Sequence, residues 1–130
     1  MMRWLAPVRG FVSGLVLLVG LAPVAFAHHG WGWASDELDE MTGEIADVRL
    51  GNPHGEVDIV IDGETWTIEV GQPWRNERAG LSEELLESGS EITVLGNVSE
   101  REGERLVKAV RVTTAEGHHD LYPGRIPDSD

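Results

Sequence analysis

From Thr42 onward the chain is written in short stretches where apolar and polar residues alternate, the two-residue period of strands with one face buried and one wet. Thr42 to Leu50 (TGEIADVRL) sets Ala46, Val48 and Leu50 against Asp47 and Arg49, and Gly51 to Gly55 (GNPHG) then breaks the pattern with turn formers. Glu56 to Ile61 resumes it with Val57, Ile59 and Ile61 inward. Asp62-Gly63 is a two-residue hairpin sequence, and Glu64 to Val70 returns with Trp66, Ile68 and Val70 inward and Thr65, Thr67 and Glu69 outward.

Gly71 to Gly80 has no period and reads as irregular. Leu81 to Ser88 predicts a short helix: Ser82 caps it, Glu83 and Glu84 suit the positive end of its dipole, Leu81, Leu85 and Leu86 form one face, and Gly89 stops it. Glu91 to Val98 is a fourth strand in which Gly96 marks a bulge or bend. Arg105 to Thr113 is a fifth, with either Val107 and Ala109 or Leu106, Val110 and Val112 facing in. This order predicts a mainly β fold, a small five-stranded OB-like barrel with one short helix between strands 3 and 4. Closure removes the exposed edges of a small sheet; other small β-barrels share the same pattern.

Ahead of the barrel, residues 1–9 carry Arg3 and Arg9 and no acid. Gly10 to Phe26 is apolar, and Ala25-Phe26-Ala27 puts small residues where signal peptidase reads. A membrane anchor is the alternative, but Gly14, Gly20 and Pro23 interrupt the run, which falls short of the ~20 residues of a spanning helix. The expected organisation is therefore a signal peptide (1–27) cleaved after Ala27, an N-terminal metal-binding arm (28–41), the barrel (42–114) and a flexible C-terminal tail (115–130). The protein is expected in the periplasm or secreted, with no stable membrane anchor after cleavage.

Charge sharpens this reading. Loss of the leader with Arg3 and Arg9 leaves eight Lys and Arg against 23 acids, a net of −15. Such a surface disfavours nucleic acid and anionic membranes, which are bound by neutralising phosphates. It also suits a soluble protein of a saline or alkaline habitat. The chain has no cysteine, so disulfides and thiolate metal sites are excluded and any metal must be held by His, carboxylate or backbone. The acids Asp36, Glu37, Asp39 and Glu40 lack the spacing and glycine of a calcium loop. No nucleophile elbow or phosphate-cradling glycine loop is present, and Trp74 beside Arg75 is expected to close the barrel bottom.

All five histidines follow the leader: His28-His29, His54 and His118-His119. Cleavage after Ala27 gives His28 a free α-amine, which can chelate a metal together with its own Nδ1. Trp31 and Trp33 share one side of an extended arm and can dock that terminus. His54 projects from a turn stiffened by Asn52 and Pro53. If the arm folds back, the amine and imidazole of His28 and the imidazole of His54 or His29 give three nitrogens in a T-like plane. This resembles the histidine brace of copper proteins such as lytic polysaccharide monooxygenases and some periplasmic copper carriers, a resemblance confined to the terminal His.

The expected metal ligands are thus His28, His29 and His54. Copper is favoured because Cu(II) leads the divalent series with nitrogen donors; zinc on three histidines is the rival. The amine must lose its proton to bind, so affinity should rise with pH through the neutral range. Cleavage one residue earlier would place a His third and create a square-planar amine, amide and imidazole site instead. His118-His119 is expected in the flexible tail rather than at the metal.

The HHGW of residues 28–31, the NPH of 52–54, the strand ETWTIEV followed by a Pro and an Arg-rich segment, and AGLSEELLESGSEITVLGN together are similar to a group of small exported bacterial proteins classed only as a domain of unknown function. The likeness runs to about Thr114. Members often carry a Trp two residues before the Asn, where this chain has Leu50. The resemblance implies an exported β-barrel and draws attention to His28, His29 and His54, but brings no activity. Two functions are weighed: metal binding, delivery or detoxification, with a metal ion and an envelope protein as partners, or a metal-free OB-like ligand- or protein-binding module of the envelope. A carrier is preferred to an enzyme, since no substrate platform is evident beyond Trp31 and Trp33.

Overall fold

The computed structural model describes residues 30–128. The leader and the pair His28-His29 lie outside them. The first strands follow the alternation: β1 spans Asp39–Arg49, β2 Glu56–Ile61 and β3 Glu64–Glu69. Asp62 (φ 51°) and Gly63 (φ 79°) form the tight turn between β2 and β3, both in the left-handed region that such two-residue hairpins require. β4 is Glu91–Val98, β5 Leu106–Thr114 and β6 Gly117–Asp120.

β1 pairs antiparallel with β2 and β4, β2 with β3, and β4 with β5; a parallel β3–β5 ladder closes the barrel. This is the expected five-stranded OB-like closure. Ile45, Ile59, Ile68, Val94, Val107 and Val112 fill the interior, and Leu81 and Leu86 plug it from the β3–β4 connection. The β5 strand has two neighbours along one edge. Leu106 to Lys108 pair with β3, and Arg111 to Thr114 pair with β6.

Two bulges correct the expected facing. Against β2 the register of β1 jumps between Ile45 and Asp47, so Ala46 is an extra residue. Ile45 is therefore buried and Ala46 exposed, while Val48 and Leu50 still pack on the core. In β5 the extra residue is Val110: Leu95 pairs with Arg111, but Gly96 pairs with Ala109. Val107 and Ala109 face in before the bulge and Val112 after it, which mixes the two registers the sequence offered. Gly96 marks the jump, as its sequence position suggested.

The helix between β3 and β4 is α1, Pro73–Arg78, in the segment read as irregular; Leu81 to Ser88 makes only a 3-10 turn at Glu83–Leu85. Ser82 makes no side-chain cap. Leu81 and Leu86 are both buried, and residues five apart lie on different sides of a helix, so a looser chain is needed to bring both inward. The α1 helix was invisible to apolar periodicity because its buried residue is Asn76. Trp74, expected to close the barrel bottom, is instead 52% exposed.

The two flanks are also more ordered than expected. The arm is laid along the end of β4: Ser35 N–H donates to Val98 O (2.8 Å), Glu100 N–H to Trp33 O (3.0 Å), and Asn97 Nδ2 to Glu37 O (3.0 Å). At the other end, the described part of the expected tail, residues 115–128, is not a free tail, because β6 extends the sheet and Leu121 enters the core. Arg111 Nε and its terminal nitrogen donate to the two oxygens of Asp120 (2.5 and 3.1 Å). That bidentate contact holds the Asp120 carboxyl below its usual range.

Candidate metal site

The turn between β1 and β2 carries His54, and three neighbours fix it. Gly55 N–H donates to Gly71 O, Val70 N–H donates to Gly55 O (both 2.9 Å), and the Asn76 side chain grips Gly71 at both its N–H and its carbonyl (2.8 Å each). The buried Asn76 thus substitutes for a missing strand partner and clamps the segment after β3 to the His54 turn. Gly55 must be glycine here, since a Cβ would lie 2.8 Å from both Leu50 and Val70 side chains.

Against His54 opens a pocket of about 230 Å³ lined by Gly30, Trp31, Pro53, His54, Glu69, Gln72, Lys108 and Tyr122. The start of the described arm and the Asn-Pro-His turn therefore share one cavity. His54 Nδ1 lies 3.4 Å from the Gly55 carbonyl, and Nε2 is 3.8 Å from Glu69 Oε2.

Glu69 and Lys108 are in-register partners of the parallel β3–β5 ladder. Their neighbours Ile68 and Val107 point into the core, so this pair stands on the outer face, yet both are buried, at 1% and 6% exposure. Lys108 Nζ donates to Glu69 Oε1. What covers them is an aromatic and cationic stack joining the arm before β1 to the segment after β6. Trp31 meets Tyr122 edge-on (centroids 4.9 Å), Arg125 lies over Trp31 (3.7 Å), Arg75 lies over Tyr122 (4.2 Å) and Trp74 (4.4 Å), and Lys108 Nζ is 5.3 Å from the Trp31 ring. Arg75 is fixed in turn by the Leu121 carbonyl (3.0 Å). Stacks of this type supply roughly 0.5–2 kcal/mol per contact once water is excluded.

Of the expected ligands, His54 lies in this pocket, whereas His28 and His29 fall outside the described residues. Among those residues no group of three or more His, Cys, Asp or Glu is assembled for a metal; the described part of the site contributes His54 and Glu69. His118 and His119 do not form a pair, because adjacent strand residues face opposite ways. His118 is exposed and bonds Thr113 (2.8 Å), while buried His119 is held by the Ala79 carbonyl (3.0 Å) and Thr114 hydroxyl (2.9 Å).

Glu69, Lys108, Tyr122 and Arg125 were not read from the sequence as site residues. Strict alternation assigned Glu69 to solvent, and Tyr122 and Arg125 sat in the supposed tail. One mark was available: Lys108 is the chain's single lysine, placed within an apolar strand while every other base is arginine.

A closed OB-like barrel whose preceding arm shares a pocket with the loop between β1 and β2 is the class this architecture defines. The chain belongs to a family of unknown function, DUF6152, which it matches over residues 16–108. That span includes Trp31, His54, Glu69 and Lys108 and stops short of β6, Tyr122 and Arg125. No curated protein matches the chain.

Proposed function

We propose that the protein is exported, loses its leader after Ala27, and binds a metal in the periplasm or outside the cell, for binding, delivery or detoxification. Copper suits the donors best, held by the α-amine and imidazole of His28, by His29 and by His54, with zinc as the rival. The supporting observation is that Gly30 and Trp31 line the same pocket as His54. His28 precedes Gly30 by two residues in sequence, and two residues of chain reach at most about 7 Å. A carrier is preferred to an enzyme because the sequence shows no aromatic substrate platform beyond Trp31 and Trp33.

The protein beginning at His28 should take up one equivalent of Cu(II) and give a nitrogen-coordinated paramagnetic spectrum. His28→Ala and His54→Ala should each weaken binding at least tenfold and change that spectrum. Unchanged affinity and spectrum in both variants, or no uptake by the parent, would overturn the proposal. The second reading, a metal-free envelope module, is favoured by the Glu69–Lys108 pair, which neutralises the pocket without any ion.

A further inference from the structure

The two oxygens of Glu69 face different partners. Lys108 Nζ takes Oε1, and Oε2 lies 3.8 Å from His54 Nε2. That second separation is too long for a charge-assisted N–H···O bond of ~2.7–2.9 Å. It lies within the span that one ion can bridge: donors at about 2.0–2.1 Å from a metal stand about 2.9 Å apart at right angles and about 4.1 Å apart when opposed. Both groups line the pocket that Gly30 enters, and their side chains are 16% and 2% exposed.

We propose that Glu69 Oε2 is an anionic ligand of the metal site, and that Lys108, bonded to the other oxygen, is the internal cation that competes with the metal for this carboxylate's charge. The inference rests on the metal-binding reading above and adds a ligand and a competitor to it. A buried carboxylate needs a countercharge. The ammonium and an incoming dication supply the same one, so the two compete and Lys108 lowers the apparent affinity of the site. A carboxylate oxygen is a hard donor and pairs with Cu(II) or Zn(II) in preference to Cu(I), so the site takes a divalent ion.

Cu(II) affinities of the protein starting at His28 separate these roles. Lys108→Met should bind at least tenfold more tightly than the parent, and Glu69→Gln/Lys108→Met at least tenfold less tightly than Lys108→Met. Equal affinities in all three would sink the inference. Should Lys108→Met not fold without metal, the parent itself suffices: in 13C-labelled protein the Glu69 Cδ resonance should shift on one equivalent of Zn(II). A resonance that stays in place while zinc binds means that Glu69 keeps Lys108 and is no ligand. The two failures are distinguishable, because His28→Ala and His54→Ala abolish binding if only the Glu69 role is wrong and leave it intact if the metal site itself is wrong.

Discussion

Lys108→Met made alone, with Glu69 left in place and no metal added, should lower the free energy of unfolding by about 3–5 kcal/mol. The cost is that of a carboxylate left uncompensated at 1% exposure beneath Trp31 and Tyr122, rather than the loss of a favourable contact. Adding Glu69→Gln should recover most of it, since removing both charges at similar volume is close to neutral. Urea titrations of the two variants and the parent measure both steps. Against a typical total of about 5–15 kcal/mol, the single substitution consumes much of the domain's stability. If the single and double variants were equally stable, the pair would not be a buried, mutually dependent one, and the stack of the arm on the segment after β6 would not be excluding water from it.

The second large effect belongs to Gly96. A Cβ there would stand 2.4 Å from the Lys108 carbonyl oxygen and 2.7 Å from a Val107 methyl, and the first contact is with backbone. Gly96→Ala should therefore cost at least about 3 kcal/mol, above the usual penalty of an overfilled core, because β5 rather than a side chain has to move. The displacement falls on Lys108 itself, so the variant should also perturb the backbone amide resonances of Glu69, its ladder partner. By contrast Gly51→Ala meets nothing within 4 Å and serves as the control. Loss of less than about 1 kcal/mol in Gly96→Ala would show that the bulge at Val110 relaxes freely.

What could be read from the residues and what could not divides along physical lines. The β2–β3 hairpin and β4 were legible because side-chain alternation is set locally, and Asp62-Gly63 suits a turn with two positive φ angles. Ala46 was assigned the place of Ile45 because a bulge adds a residue without changing composition. The helix is not legible in the sequence because apolar spacing and capping residues both favour LSEELLE. The segment LSEELLE has good spacing but must bury Leu81 and Leu86 together, whereas PWRNER buries an asparagine that bonds Gly71. His54 stood out by its rigid turn. Glu69 and Lys108 did not, since their burial depends on Trp31, some 40 residues before Glu69, and on Tyr122 beyond β6. Contacts between segments so far apart in the chain leave no local periodicity.

The contact of Trp31 with Tyr122 holds the arm beside the His54 turn, as the proposed site requires. The arm's backbone bonds to the end of β4 begin at Trp33, and Trp31 ahead of them is held by Tyr122, Arg125 and Lys108. With these contacts the chain is delivered into the His54 pocket, and any ion captured there is shielded on one side by two aromatic rings. Ordering the arm in advance would reduce the entropy lost on the proposed metal capture.

Paramagnetic broadening by Cu(II) tests the shared site most directly. One equivalent added to the 15N-labelled protein starting at His28 should erase the amide signals of His54, Gly55, Glu69 and Gln72 while leaving those of His118 and His119 sharp. Broadening centred on His118 and His119, with His54 and Glu69 unaffected, would contradict the account.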